Sequence, residues 1–191
     1  MVLILSLAQP QPLCCAEQLE PLLAGLAAGD RDSLAELYRR TRAAVYGLAL
    51  SYLKNSQDAE DVTQDTFVRA WEKAAQYQRQ GKPLQWLLAI ARNLSLMKLR
   101  QKTRTADLPE EDWLAIAADA PALTPEEKHL LHTALTQLSE EESRIVLLHA
   151  VTGLKHREIA ALLGLPLPTA LSKYHRALKK LKKLLEGEMA P

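Results

Sequence analysis

Eight Lys and Arg residues (155, 157, 173, 176, 179, 180, 182 and 183) against one acid, Glu158, give the stretch from Lys155 to Lys183 a net charge of +7, inside a chain whose total is only +1. Cations at this density suit a phosphate backbone. Their spacing adds a direction. His156-Arg-Glu-Ile-Ala-Ala-Leu-Leu-Gly164 reads as a short helix stopped by glycine, and after Leu-Pro-Leu-Pro a second helix begins at Thr169, which is the spacing of a helix-turn-helix. In that second helix Ala170, Tyr174, Leu178, Leu181 and Leu185 recur every three or four residues and face inward. Lys173, Arg176, Lys179, Lys180 and Lys183 then fall on the other side, with Thr169, Ser172 and His175 nearer the start. Such a helix fits a major groove, early residues at base edges and cations at phosphates. The plainer alternative is a solvated, lysine-rich helix of a bundle.

The remaining charge also falls in blocks. Asp58, Glu60, Asp61 and Asp65 form an acidic run, and Arg92, Lys98, Arg100, Lys102 and Arg104 a basic one. Asp107 to Glu127 carries seven acids and no base, with Pro109, Pro121 and Pro125, the composition of a linker. Catalytic patterns do not appear: there is no Gly-rich phosphate loop, no HExxH and no cysteine in a catalytic setting. Cys14 and Cys15 are adjacent, too strained for a mutual disulfide and too few for zinc, which fits a reducing, cytoplasmic setting. His129 and His132, near Glu126, read as a surface pair rather than a metal site. The expectation is a protein that is not an enzyme, with no catalytic residue, metal or cofactor. The apolar start, Met1 to Leu7, has no preceding Lys or Arg and ends at Gln9-Pro-Gln-Pro12, too short for a signal peptide or a span. No membrane partner is expected.

The elements that position these groups are helical throughout. With 48% hydrophobic residues but one Phe and seven Gly in 191 residues, the chain is rich in Leu and Ala, which favour helices over strands. Leu34, Leu37, Tyr38, Val45, Leu48, Ala49 and Tyr52 make Asp30 to Lys54 one amphipathic helix or two in series. Ser56 is the expected N-cap of the next helix, whose early Asp58 and Glu60 complement its dipole. Ala59, Val62, Phe67, Ala70 and Trp71 supply its apolar positions, leaving Asp58, Asp61, Gln64, Asp65 and Arg69 outward. After Gly81-Lys-Pro83, Leu84, Leu87, Ile90, Ala91 and Leu94 define a third helix that is cationic at its end. Further on, Pro125 to Leu138 reads as a helix, and Ser139-Glu-Glu-Glu142 as a capping box opening another that stops at Gly153. The expected fold is all-α: two small helical domains joined by a flexible acidic linker.

Three segments together resemble one family. Asp58-Ala-Glu-Asp-Val-Thr-Gln-Asp-Thr-Phe-Val-Arg-Ala-Trp71, Trp86-Leu-Leu-Ala-Ile-Ala-Arg-Asn93 and Leu138 to Ala177 look like a bacterial RNA polymerase sigma factor of the extracytoplasmic-function (ECF) group. The resemblance spans roughly residues 30 to 185 and implies a division of labour. Asp58, Asp61, Gln64, Asp65 and Arg69 would contact the clamp helices of core RNA polymerase. Trp86, Arg92, Asn93, Ser95, Lys98, Arg100, Lys102 and Arg104 would bind the minus-ten element of promoter DNA. Trp86 is the first candidate to stack an unpaired base, although its place on the Leu87/Ile90 side favours a core role, and Tyr77 is the second. Arg157, Thr169, Leu171, Ser172, Lys173, His175, Arg176, Lys179 and Lys180 would meet the minus-thirty-five element. The linker would thread the polymerase's nucleic-acid channel, and the family admits an anti-sigma factor as a third partner.

The sequence departs from the family pattern at Pro166, Pro168, Ala170 and Leu171, and at Met97, where an acid is common. Pro168 suits a first helical turn, and Leu171 would offer a thymine methyl an apolar contact instead of a charge. The expected layout is an N-terminal extension over 1–24, region 2 over 25–104, the linker over 105–124 and region 4 over 125–187. A stand-alone helix-turn-helix regulator is the alternative. It leaves the acidic helix at Asp58 to Trp71 without a task.

Overall fold

The computed structural model describes residues 16–78, 81–105 and 138–187, in two compact units. The acidic linker, most of the helix expected from Pro125, the His129/His132 pair and residues 1–15 lie outside the described residues. Seven α-helices and no strand occur among those described.

The first unit holds α1 (Ala16–Ala27), α2 (Arg31–Leu53), α3 (Ser56–Lys73), a 3-10 turn over Ala74–Gln76, and α4 (Pro83–Thr105). α2 is the central element, packing on α1, α3 and α4. It is a single helix because nothing interrupts its apolar face: Leu37, Val45, Leu48, Ala49 and Leu53 are all buried. Asp30 caps it, its carboxylate accepting from the backbone N–H groups of Asp32 and Ser33 at 3.1 Å each. Lys54 ends it in the left-handed region at φ 52°, donating its N–H to the Leu50 carbonyl.

That tight ending moves the next cap by one residue. Asn55, extended directly after Lys54, accepts from Asp58 N at 2.9 Å, so Asn55 and not Ser56 caps α3. A larger correction concerns the first 24 residues. The boundary expected at 24/25 falls inside α1, whose Leu19, Leu23 and Leu26 are all buried, with α2 as its main packing partner. The helix runs through both Pro21 and Gly25. Gly25 is needed there because a Cβ would collide with the Ser33 side chain of α2.

Hydroxyls inside this core are satisfied locally. Thr41, Thr63, Thr66 and Ser95 each donate to the carbonyl four residues earlier at 2.7 to 2.8 Å, so their burial leaves no orphaned donor.

The second unit is a three-helix arrangement of α5 (Glu140–Thr152), α6 (His156–Leu163) and α7 (Leu167–Gly187). The capping box is formed as expected: Ser139 Oγ accepts from Glu142 N at 3.3 Å, and Glu142 Oε2 accepts from Ser139 N at 3.0 Å. Gly153 ends α5 at φ 68°. Ile145, Leu148, Ile159, Ala170, Tyr174, Ala177 and Leu181 make the core.

Candidate nucleic-acid interface

The turn between α6 and α7 is built by backbone and glycine. Glu158 returns its carboxylate to Lys155 N at 2.8 Å to open α6, and Gly164 at φ 72° closes it while Leu165 N donates to the Ala160 carbonyl at 2.9 Å. α7 begins at Leu167, two residues before the expected start at Thr169. Pro168 sits in its first turn, and the Pro166 carbonyl accepts from both Thr169 N and Ala170 N. Ala170, Tyr174, Ala177 and Leu181 turn inward, while Ser172, His175, Arg176 and Lys179 are exposed, as is Arg157 on α6. Thr169 and Leu171 are half-buried at the start of the helix.

Three of the expected DNA-reading cations have carboxylate partners inside their own module. Lys173 Nζ lies 2.7 Å from Glu141, Lys180 Nζ 2.7 Å from Glu142, and Arg176 Nε 4.0 Å from Glu142. Spaced three and four apart, they share the side of α7 that meets the first turn of α5. The capping run Glu140-Glu-Glu142 therefore also tethers the reading helix, a second role that sequence reasoning missed. Nothing local in the sequence signals it, since the partners are more than 30 residues apart.

Two half-buried imidazoles, His149 and His156, pack against the buried Tyr174 ring, with the exposed His175 at its edge. The rings of His149 and His156 lie 4.5 Å apart, those of His156 and Tyr174 4.3 Å, and His175 is 5.8 Å from Tyr174. Leu154 O can only accept, so His149 Nδ1, 2.9 Å away, carries the proton. His156 is held below its ordinary 6.5, by burial first and then by the charges of His149 and His175. The unfolded chain therefore binds the proton at higher pH than the folded one. Stability from neutral His156 is whole above pH 6.5 and is lost as pH falls below it. We expect the thermal midpoint of the second module to drop as pH falls below 6.5, and His156→Gln to flatten that drop; equal slopes in both proteins would refute the assignment.

In the first module, Asp61, Gln64, Asp65 and Arg69 are exposed along α3 and Asp58 is half-buried. On α4, Asn93 and Arg100 are exposed, and Arg92 and Lys98 half-buried. Lys102 and Arg104 lie in the last turns of α4, their side chains outside the described residues. Ser95 is a correction: it is fully buried and donates to the Ala91 carbonyl at 2.8 Å, so it cannot reach DNA. The cause is the rotation of the helix. Its buried seam runs through Leu84, Leu87, Leu88, Ala91 and Ser95, with Ile90 and Leu94 only half-buried.

Lys98 ties the two surfaces together. Its ammonium lies 3.0 Å from Asp58 and 2.8 Å from Asp61, so a residue expected at DNA pairs with two expected at polymerase. Burial works against its charge, but the hydrogen bonds to Asp61 and Asp58 outweigh it and hold the ammonium above 10.5. Below this pair a groove of about 590 Å³ opens between α3 and α4, lined by Asp61, Gln64, Asp65, Val68, Arg69 and Met97 among others. Val68 and Met97 are 57% and 52% exposed, the most exposed large apolar side chains among the described residues. A second cavity, about 370 Å³, lies where the 3-10 turn meets α4 and is lined by Gln76, Tyr77, Gln78, Lys82, Gln85 and Trp86. Trp86 is half-buried, with its ring 5.2 Å from that of Tyr77, so both stacking candidates share one site.

A helix-turn-helix with a basic reading helix, in the same chain as a separate four-helix module with a charged groove, defines a DNA-binding transcription protein. Residues 37–105 match the family described as Sigma-70 region 2, and residues 128–181 that described as Sigma-70, region 4. The ECF RNA polymerase sigma factor SigK of Mycolicibacterium vanbaalenii is 30% identical over 91% of this chain and 92% of its own. SigE of Mycolicibacterium smegmatis is 35% identical over 83% of this chain and 65% of its own. Among solved structures, CnrH in complex with the cytosolic domain of CnrY aligns with a TM-score of 0.61 at 26% identity, covering 87% of this chain and 96% of that one. RpoE of Bartonella quintana, at 22% identity and a TM-score of 0.62, covers 80% of this chain and 96% of its own, and shares the fold.

The chain belongs to the ECF RNA polymerase sigma factors. It directs promoter-specific transcription, with core RNA polymerase and promoter DNA as its partners. The match of the first module to region 2 removes the stand-alone regulator as an alternative. No described helix is long and apolar enough to cross a membrane.

Proposed function

We propose that the exposed face of α3 docks the core enzyme, that α4 and the Tyr77/Trp86 cavity take the minus-ten element, and that α6 and α7 read the minus-thirty-five element. The observation that carries this reading is the α3/α4 groove, where Val68 and Met97 stand exposed among Asp61, Gln64, Asp65 and Arg69. Apolar side chains ringed by charge make a protein-docking surface rather than a nucleic-acid one. The aromatic pair and amides of the smaller cavity suit an unstacked base, and Asn93 and Arg100 extend the polar track along α4. On α7, Ser172 and His175 are the residues offered to base edges. Arg157 and Lys179 supply phosphate contacts, while Lys173, Arg176 and Lys180 divide their charge between Glu141, Glu142 and the backbone of the DNA.

The proposed site of action is the cytoplasm. We also propose a restraining anti-sigma partner, supported by CnrH, which was solved bound to the cytosolic domain of CnrY. The chain is proposed to act without chemistry of its own, catalysis belonging to the polymerase.

The test is reconstituted transcription with core polymerase of the same organism. Discrete start sites on its genomic DNA are expected. Arg157→Gln together with Lys179→Gln should weaken promoter binding by the holoenzyme and reduce the log–log salt slope by about one unit for each phosphate left without its cation. An unchanged slope would take those residues off the backbone.

A further inference from the structure

We propose that Glu20, on α1, is a positioning residue for minus-ten recognition. One carboxylate oxygen holds the Tyr77 hydroxyl and the Gly81 backbone together, and so fixes the aromatic wall of the base cavity. The inference rests on the cavity being the minus-ten site. It extends that site to a helix that precedes the region 2 match, which begins at residue 37.

Glu20 Oε1 accepts from Tyr77 Oη at 2.7 Å and from Gly81 N at 3.0 Å, partners 57 and 61 residues away along the chain. The two donors flank the connection between the 3-10 turn and α4, so a single acceptor pins both its ends. Gly81 stands at φ 67°, which a residue with a Cβ rarely adopts. Leu19 and Leu23, both buried, root the helix that presents Glu20. The acceptor is therefore mounted on a packed element rather than on a loop, which is how a site keeps its geometry.

What Glu20 fixes is the orientation of a ring. With its hydroxyl tied back to α1, Tyr77 meets Trp86 at 5.2 Å and 55°, a tilted pair that leaves room beside it. Three amides line that room, Gln76, Gln78 and Gln85, the type of group that can meet a base edge, and Lys82 supplies a cation for the adjoining phosphate. The tie holds Tyr77 at that angle to Trp86 and so helps to keep the space open. Glu20 Oε2 is buried with no hydrogen-bond partner among the described residues. Both bonds go to Oε1, an acceptor that the carbonyl oxygen of glutamine also supplies.

The experiment uses holoenzyme assembled from core polymerase and the full chain. The probe is a fluorescent single-stranded oligonucleotide of the non-template minus-ten strand, from a promoter that the wild-type holoenzyme opens. A matching set carries one abasic site at each position in turn. Wild type should lose about tenfold in affinity at one position, the base held in the cavity. Glu20→Ala should bind the intact oligonucleotide about tenfold more weakly and become indifferent to that abasic site. Tyr77→Phe, which removes the bond from the other side without touching α1, should do the same. The double variant should be no worse than either single one, and Glu20→Gln should keep the wild-type pattern. Uniform weakening across all positions, additive losses in the double variant, or a Glu20→Gln as defective as Glu20→Ala would each overturn the role given to Glu20. If wild type itself has no abasic-sensitive position, the cavity is not the minus-ten site and the underlying reading falls instead.

Discussion

Asp65→Arg should lower the affinity of the chain for core polymerase by about thirtyfold, roughly 2 kcal/mol, while leaving the fold of the first module intact. Asp65 is exposed on α3 within the groove that also displays Val68 and Met97. Reversing its charge both removes an attraction for a basic partner and introduces a repulsion, and the repulsive half makes the effect larger than a neutral truncation. The cost inside the module is small: the new arginine stands one turn before Arg69, a like-charge pair worth only a few tenths of a kcal/mol on a helix surface. Asp61 would be a poorer choice. Its carboxylate also holds Lys98 at 2.8 Å, so a change there disturbs α4 and the polymerase face together. Fluorescence titration of labelled chain with core enzyme, run beside thermal unfolding, separates the two effects. Wild-type affinity in a folded Asp65→Arg protein would remove α3 from the interface.

What the sequence made legible was local. The capping box at Ser139 and Glu142 and the glycine stops at Gly153 and Gly164 depend on residues a few positions apart, and all are found. The acidic face of α3 was visible for the same reason, because Val62, Phe67 and Ala70 fix which side is buried. Ser95 shows the limit of composition. Its place in a cationic run suggested DNA, but its spacing of four from Ala91 and seven from Leu88 already put it on the buried seam. α1 lies largely within the stretch expected as an N-terminal extension, and only packing against α2 reveals that Leu19 and Leu23 are core and that Gly25 is there for close approach. The pairings of Lys98 with Asp58 and Asp61, of Glu20 with Tyr77, and of Glu142 with Lys180 join residues 37 to 57 positions apart. No periodicity encodes them, since each is set by how two helices cross.

Glu142→Ala should cost the second module about 2 kcal/mol, because one side chain serves the cap and the reading helix at once. Its side chain is only 3% exposed, accepting from Ser139 N at 3.0 Å and from Lys180 Nζ at 2.7 Å, with Arg176 at 4.0 Å. Losing the carboxylate that accepts from Ser139 N contributes about 1 kcal/mol, while Ser139 Oγ still caps the N–H of residue 142. The rest comes from unpairing Lys180 and from the space left, moderated because Lys180 and Arg176 are 41% and 60% exposed and can turn to water. For a unit this small the thermal midpoint falls by about 10 °C. Glu142→Gln, which keeps an acceptor for Ser139, should lose about half as much. Acid provides an independent readout. Burial pushes the Glu142 carboxyl up, but Lys180 and Ser139 together hold it below 4.5, so its contribution is whole above 4.5 and is lost as pH falls through the lower folded value. That limb should disappear in Glu142→Ala while the one below pH 6.5 from His156 stays. DNA binding by the folded fraction should survive and steepen with salt, since Lys180 and Arg176 are released toward phosphate. A folded variant with a weaker salt slope would mean that Glu142 aims those cations at the DNA instead of withholding them.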